Sequence, residues 1–367
     1  MVEPGDVDYA KDLLERLALR PRFSGSQTEA DARAICVEEL KMAGFECTER
    51  PFQYSEWPGK WGVPVAAAVQ VATILIVGGT AVGHGPLLAL AMGGALYVAL
   101  FLASADAKRR WSHAFPFLRA RSVNLEARRG DPKVWLVAHL DSKSQTVPML
   151  VRIASSIALS ATTLIAAIAL LVLLVHPGEA RVFWRVLEIA AIVVGVPSML
   201  CFVRNDSPGA VDNASGVASV ILAAHMIPPS LDVGVLITSG EELALAGARA
   251  WAGGAKPDLI VLNCDTIDNN GQWRLMYTSS RPRRIEKAAE TISPSRGDQL
   301  PIRRLIPGIL ADSVAFADRG IESVTLSRGT LSTLARVHTR RDTSNVLGGS
   351  GVSEAGALLA ALTRELS

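Results

Sequence analysis

The sequence predicts an α/β fold: a three-layer α/β/α sandwich on a mixed, mostly parallel sheet, carrying two inserted transmembrane helical hairpins. Three observations predict it. Apolar runs of buried-strand length alternate with segments of helical period along most of the chain. Two long stretches almost free of charge interrupt that alternation. The chain of 367 residues is also 49% hydrophobic and only 20% charged, with a mean hydropathy of +0.28. That is more apolar than a domain facing water throughout.

The elements follow in order. The opening MVEPGDVDYAKDLLERL is acidic and amphipathic and lacks the apolar core of a secretory leader, so no cleavable signal peptide is expected. Residues 27–43 have helical spacing, with Ala30, Ala34, Ile35, Val37 and Leu40 on one face, and Gly44 follows as a stop signal. Residues 45–54 and 123–128 read as strands. KVWLVA (133–138), VGVLIT (233–238), LIVLNC (259–264) and residues 322–326 read as buried strands. Helical patterns at 213–226, 242–251 and 352–366 stand between and after them.

The first interruption, residues 61–105, contains no Asp, Glu, Lys or Arg and divides at Gly83-His84-Gly85-Pro86. Each half has roughly the 20 residues needed to cross a bilayer core as a helix. Lys60 and Lys108-Arg109-Arg110 flank the stretch, and Trp57, Trp61 and Trp111 stand at interfacial positions. The second interruption, residues 151–203, has a strong span at 153–175 that stops at His176-Pro177-Gly178. Its other half carries Arg185 and Glu188, three apart and able to pair on one helix face. That half spans a bilayer if its helix starts near Val182. Gly79-x-x-x-Gly83 matches a small-residue packing pattern, a match close to chance in so Gly- and Ala-rich a run. The expected division is one domain from residues 1–60, 106–150 and 204–367, with hairpins at 61–105 and 151–203.

Composition also excludes some functions. A net charge of +2, with no basic stripe and no finger spacing, argues against a nucleic-acid partner. Cys36, Cys47, Cys201 and Cys264 form no C-x-x-C pair, so neither a zinc knuckle nor a disulfide framework is indicated.

Ligands of such a sheet bind at the carboxyl ends of its strands. There the sequence places His139-Leu140-Asp141-Ser142 after VWLVA, Ser239-Gly240-Glu241-Glu242 after VGVLIT, and Asp265 after LIVLNC. Asp212-Asn213 precedes a helix, and His338 lies in the loop RVHTRRDT. Each alone has an ordinary structural explanation: a core histidine, carboxylates at a helix start, an N-cap, a turn residue. Together, two histidines and three carboxylates at one sheet edge would make a co-catalytic zinc pair.

These residues resemble the di-zinc aminopeptidases of metallopeptidase family twenty-eight, whose relatives include glutamate carboxypeptidases and glutaminyl cyclases. The likeness runs from RFSGS (22–26) through AHLDS, GAVDNASGVA, SGEELALAGARAW, NCDTID, DSVAFADRGI and RVHTRRDT, nearly all of the soluble part. It implies two zinc ions: His139 and Asp265 on one, Glu242 and His338 on the other, and Asp212 bridging. It further implies Glu241 as general base and Asp141 accepting the other N–H of the His139 ring. The implied substrate is a peptide with a free amino terminus. The sequence departs from the family in the apolar hairpin between Asp141 and Asp212 and in Arg340-Arg341 after His338. Lys143, in HLDSK, is shared with the cyclases, so cyclase-like acyl transfer stands as the alternative, with a non-catalytic membrane protein on a peptidase fold behind it.

Hairpins keep every catalytic segment on one side of the membrane. Lys60, Lys108, Arg109, Arg110, Arg152 and Arg204 lie on that side, against Arg181 and Arg185 opposite, which predicts a cytoplasmic domain. The spans carry no ionisable residue beyond the Arg185/Glu188 pair, so the expected role is anchoring in the lipid bilayer, homodimer formation or presentation of substrate rather than transport.

Overall fold

A computed structural model describes residues 6–83, 85, 88, 89, 93, 94, 117–176, 180–296, 300–305 and 309–367. The chain divides into two compact units: Met1–Tyr54, Arg119–Ser144 and Arg204–Ser367 form the first, and Ser55–Leu118 and Gln145–Val203 the second. Chain order runs α1 (Val7–Leu17), α2 (Gln27–Met42), β1 (Glu46–Ser55), α3 (Trp57–Gly83), β2 (Arg119–Arg129) and β3 (Val134–His139). Short strands β4 (Ser144–Gln145) and β5 (Val203–Arg204) bracket α4 (Met149–Val175) and α5 (Arg181–Met199). Then come α6 (Ser215–Met226), β6 (Val233–Thr238), α7 (Ala246–Ala252), β7 (Ile260–Ile267) and β8 (Gln272–Tyr277). The remainder holds α8 (Arg283–Arg296), β9 (Ile302–Arg304), α9 (Asp312–Ala317), β10 (Glu322–Gly329), α10 (Leu331–Arg336) and α11 (Ser350–Leu366).

The first unit is built on one sheet in the order β1-β2-β6-β3-β7-β10-β8-β9. Strands β6, β3, β7 and β10 are parallel, while β2 and β8 run antiparallel to β6 and β10. The sheet is therefore mixed and mostly parallel, as its apolar runs predict. Every residue of β3 and β6 is buried, which a strand covered on both faces requires. On one face Trp135, Val137, Leu236 and Val261 pack with Ala248 and Ala252 of α7 and Phe316 of α9. On the other, α6 packs against α11, β3 and β7. Gly234 makes this possible locally: a Cβ there would lie 2.4 Å from the Trp135 ring. In register, His139 stands opposite Thr238 and Val137 opposite Asn263, so the carboxyl ends emerge at one edge.

Two helix starts differ from the periodic reading. Helix α7 begins at Ala246 rather than at 242, because Gly240, Ala244 and Leu245 are left-handed (φ 70°, 75° and 60°). Residues 241–243 form a single tight turn instead. Helix α6 begins at Ser215, after a turn in which Asp212 and Asn213 have non-helical dihedrals and are joined by a cis peptide. Strands β8 and β9 have no counterpart among the expected strands, since Arg274, Arg303 and Arg304 leave only short apolar runs there.

In the second unit, α3, α4 and α5 are each long and apolar enough to cross a membrane. Helix α3 starts at Trp57, four residues before the charge-free stretch; Pro58 is tolerated in a first turn, and Lys60 pairs with Glu56 at 2.6 Å. The expected second half of that hairpin, with Lys108-Arg109-Arg110 and Trp111, lies largely outside the described residues. In the second hairpin α5 starts at Arg181, early enough to be 19 residues long, and Arg185 pairs with Glu188 at 3.0 Å. Gly78 of α3 leaves room for α5: a Cβ there would lie 2.6 Å from Glu188 Oε1 and 3.1 Å from Trp184. Ser155 Oγ lies 2.7 Å from Ser198 Oγ, linking α4 to α5.

Candidate metal centre

Five segments converge at the carboxyl edge of the sheet. His139 ends β3, Asp265 lies near the end of β7, and Glu241 and Glu242 occupy the turn after β6. Asp212 sits in the turn before α6, and His338 follows α10 with φ 62°, as Thr266 follows Asp265 with φ 60°. Left-handed backbone at non-glycine residues costs on the order of 1–3 kcal/mol each and gathers at functional sites. The side chains meet. His139 Nε2 is 3.2 Å from Asp212 Oδ1, 3.8 Å from Asp265 Oδ1 and 3.9 Å from Glu241 Oε2. His338 Nε2 is 3.1 Å from Asp212 Oδ2 and 2.9 Å from Glu242 Oε1. Asp212 thus turns one oxygen to each histidine. The ligand atoms fall into two groups, His139/Glu241/Asp265 and Asp212/Glu242/His338, each within 4.8 Å.

The electrostatics are those of concentrated negative charge under little water. Burial opposes protonation of His139, but Glu241, Asp141, Asp212 and Asp265 outweigh it and raise its pKa well above normal. His338 is raised in the same way: burial and Lys143 oppose, and Glu242 and Asp212 prevail. Burial works against the Asp212 carboxylate, yet the facing His139 and His338 rings hold it below its ordinary range. Glu241 is pushed well up, first by burial, then by Glu242, Asp265 and Asp312, with His139 opposing.

Asp141 lies beside His139, but its carboxylate has another task. The ring Nδ1 is 3.0 Å from the Asp141 main-chain oxygen and 3.7 Å from Oδ1. The carboxylate instead accepts from Glu241 N at 3.1 Å and Glu242 N at 3.2 Å, holding the turn that presents both glutamates. Three neighbours had no role assigned from sequence. Asp342, in the His338 loop, accepts from Val211 N at 2.8 Å and Asp212 N at 3.2 Å, and burial lifts its carboxyl to about 6. Asp312 takes a bond from Thr238 Oγ1, and burial lifts it to about 7. Lys143 Nζ is 2.7 Å from Glu242 Oε2. Only position within a recognised motif singles out Asp312 and Asp342 beforehand.

The donor set fits zinc: imidazole nitrogens and carboxylate oxygens in two close groups. His139 Nε2 and Glu242 Oε1 are buried and, close as they lie to Asp212 and His338, make no hydrogen bond of good geometry among the described residues, as expected of atoms that face an ion. Two histidines and four carboxylates at the carboxyl edge of a mixed α/β sheet define a metallohydrolase-like centre. The model of peptidase family M28 matches residues 122–363, and the chain belongs to that family. An aminopeptidase from Aneurinibacillus sp. strain AM-1 shares the fold at 12% identity and a TM-score of 0.57, covering 97% of this chain and 93% of that one. A zinc aminopeptidase from Bacillus subtilis does so at 13% and 0.57, covering 100% and 96%. A Fimbriiglobus ruber glutaminyl cyclase is similar at 14% and 0.52, covering 99% and 96%. No curated protein matches.

Proposed function

We propose that the chain is a membrane-bound two-zinc aminopeptidase. In this reading His139 and Asp265 hold one ion, Glu242 and His338 the other, and Asp212 both. The observation that carries it is the Asp212 carboxylate, with oxygens 3.2 and 3.1 Å from Nε2 of His139 and of His338. When bound, zinc supplies Lewis acidity that polarises a peptide carbonyl and brings the pKa of water from about 16 towards 7. Glu241, buried and anchored through its main chain by Asp141, takes the proton of the attacking water on its carboxylate and returns it to the leaving amine. With two ions bound, the three ligand carboxylates would offset only three of their four charges, which keeps the centre electrophilic towards a peptide carbonyl. Family membership and the aminopeptidase neighbours support the reaction class. The three apolar helices support attachment to a bilayer, and the flanking Lys and Arg residues support a cytoplasmic domain.

A second reading, amino-terminal glutamine cyclisation, is favoured by one contact: Lys143 occupies Glu242 Oε2 and leaves that residue one oxygen for an ion. The experiment is hydrolysis of aminoacyl arylamides by detergent-purified protein, with zinc content measured. Glu241→Gln is expected to lower the rate roughly 100-fold or more with zinc near two per chain. An unchanged rate rejects Glu241 as base. Cyclisation without arylamide hydrolysis selects the second reading.

A further inference from the structure

Arg22 is buried within the first unit, only 1% exposed, and lies outside the matched residues 122–363. Its described side-chain bonds all go to main-chain oxygens. Nε donates to Leu140 O at 2.8 Å, Nη2 to Gly209 O at 3.0 Å, and Nη1 to Pro208 O and to Leu17 O, the latter at 2.8 Å. Its main chain joins the same place: Arg22 N donates to Ser142 Oγ at 2.9 Å, and Ser142 N to Arg22 O at 3.0 Å. Ser142 Oγ in turn donates to Ser207 O at 2.9 Å.

Leu140 follows His139 directly, and Gly209 stands three residues before Asp212. Asp212 lies on no strand, so sheet register does not fix its distance from His139. Between the two the chain makes its whole second apolar excursion. The guanidinium ties the segment leaving β3 to the segment returning towards Asp212 beside two other bonds, Ser142 Oγ to Ser207 O and Asp206 N to Ser144 Oγ, and of the three it joins the residues nearest in sequence to His139 and Asp212. Its planar fork of donors has fixed geometry, so it sets a spacing and does not merely supply charge.

We propose that Arg22 is a positioning residue for the metal centre: it fixes the separation of the His139 and Asp212 segments and thereby the affinity of the site for zinc. This rests on the reading of those residues as zinc ligands. Lysine keeps the charge and loses the fork; methionine loses both. The test titrates zinc into the metal-depleted full chain in detergent, against a chromophoric chelator, for wild type, R22K, R22M and a control. Phe316→Leu, in the apolar cluster beneath the sheet, is the control that lowers stability away from the site. R22K is expected to bind zinc roughly 10-fold or more weakly, as when partners orienting metal ligands are removed. Its cobalt-substituted form should show a changed visible spectrum, and Phe316→Leu should hold zinc within about 2-fold of wild type at a comparable loss of Tm. If R22M does not fold, R22K decides. Wild-type affinity in R22K, an equal loss in Phe316→Leu, or failure of both Arg22 variants to fold overturns the positioning role. A wild-type chain that takes up no zinc rejects the zinc reading itself.

Discussion

Asp141 and Asp342 act alike at the site. Each carboxylate accepts two consecutive main-chain N–H groups, Glu241 and Glu242 in one case and Val211 and Asp212 in the other. A glutamate presented by a three-residue turn has no helix to steady it, and a buried acceptor on both amides replaces that support. Further out, Glu29 accepts from Gly25 N at 2.6 Å and Ser122 Oγ at 3.2 Å. Burial, then the charge of Asp141, raises its carboxyl from 4.5 to about 7. Between those values the folded chain keeps a proton that the unfolded chain has released, so stability falls as pH rises through the window. Glu29→Gln, which mimics the protonated form, should match wild type near pH 4 and exceed it by roughly 3 kcal/mol at pH 8. Thermal unfolding of metal-free protein at both pH values checks this, and an equal difference at the two rejects it. The residues that meet at the candidate centre were legible because strand-end motifs keep residue type and spacing. Arg22 and Asp342 were not, since a bond to a distant main-chain atom leaves no periodic trace.

At the scale of elements, apolar period identified the central strands and the helices beside them. Ends were harder to read: the left-handed residues Ala244 and Leu245 delay α7 to Ala246, and no Gly or Pro marks either position. Strands β8 and β9 escaped because half-exposed strands at the end of a sheet need no long apolar run. The core shows the converse, a composition signal with a steric cause. Gly234 lies on a fully buried strand, where glycine is otherwise unfavourable, because Trp135 occupies the space of its side chain. Gly234→Ala should cost about 1–3 kcal/mol through displacement of that ring. The midpoint of denaturant unfolding measures it, and unchanged stability would show that the ring moves freely.

For the whole molecule, charge-free length was the clearest message in the sequence, and it recurs as the long helices α3, α4 and α5. Attachment to a bilayer predicts that the protein stays in the membrane pellet through an alkaline carbonate wash; release into the wash rejects it. The cytoplasmic assignment predicts that a cysteine placed at exposed Arg340, in a Cys47→Ser background, reacts with an impermeant maleimide only after cells are permeabilised. Labelling of intact cells would put the domain outside. The interruption between His139 and Asp212 also has a consequence in time. Both apolar segments precede Asp212 in the chain, and Glu241, Glu242, Asp265 and His338 come later still. A ribosome has therefore delivered both apolar segments before the second and later proposed ligands exist. Whatever insertion those segments undergo can begin on a chain that still lacks four of the five proposed ligands, so on the proposed reading the site is completed last.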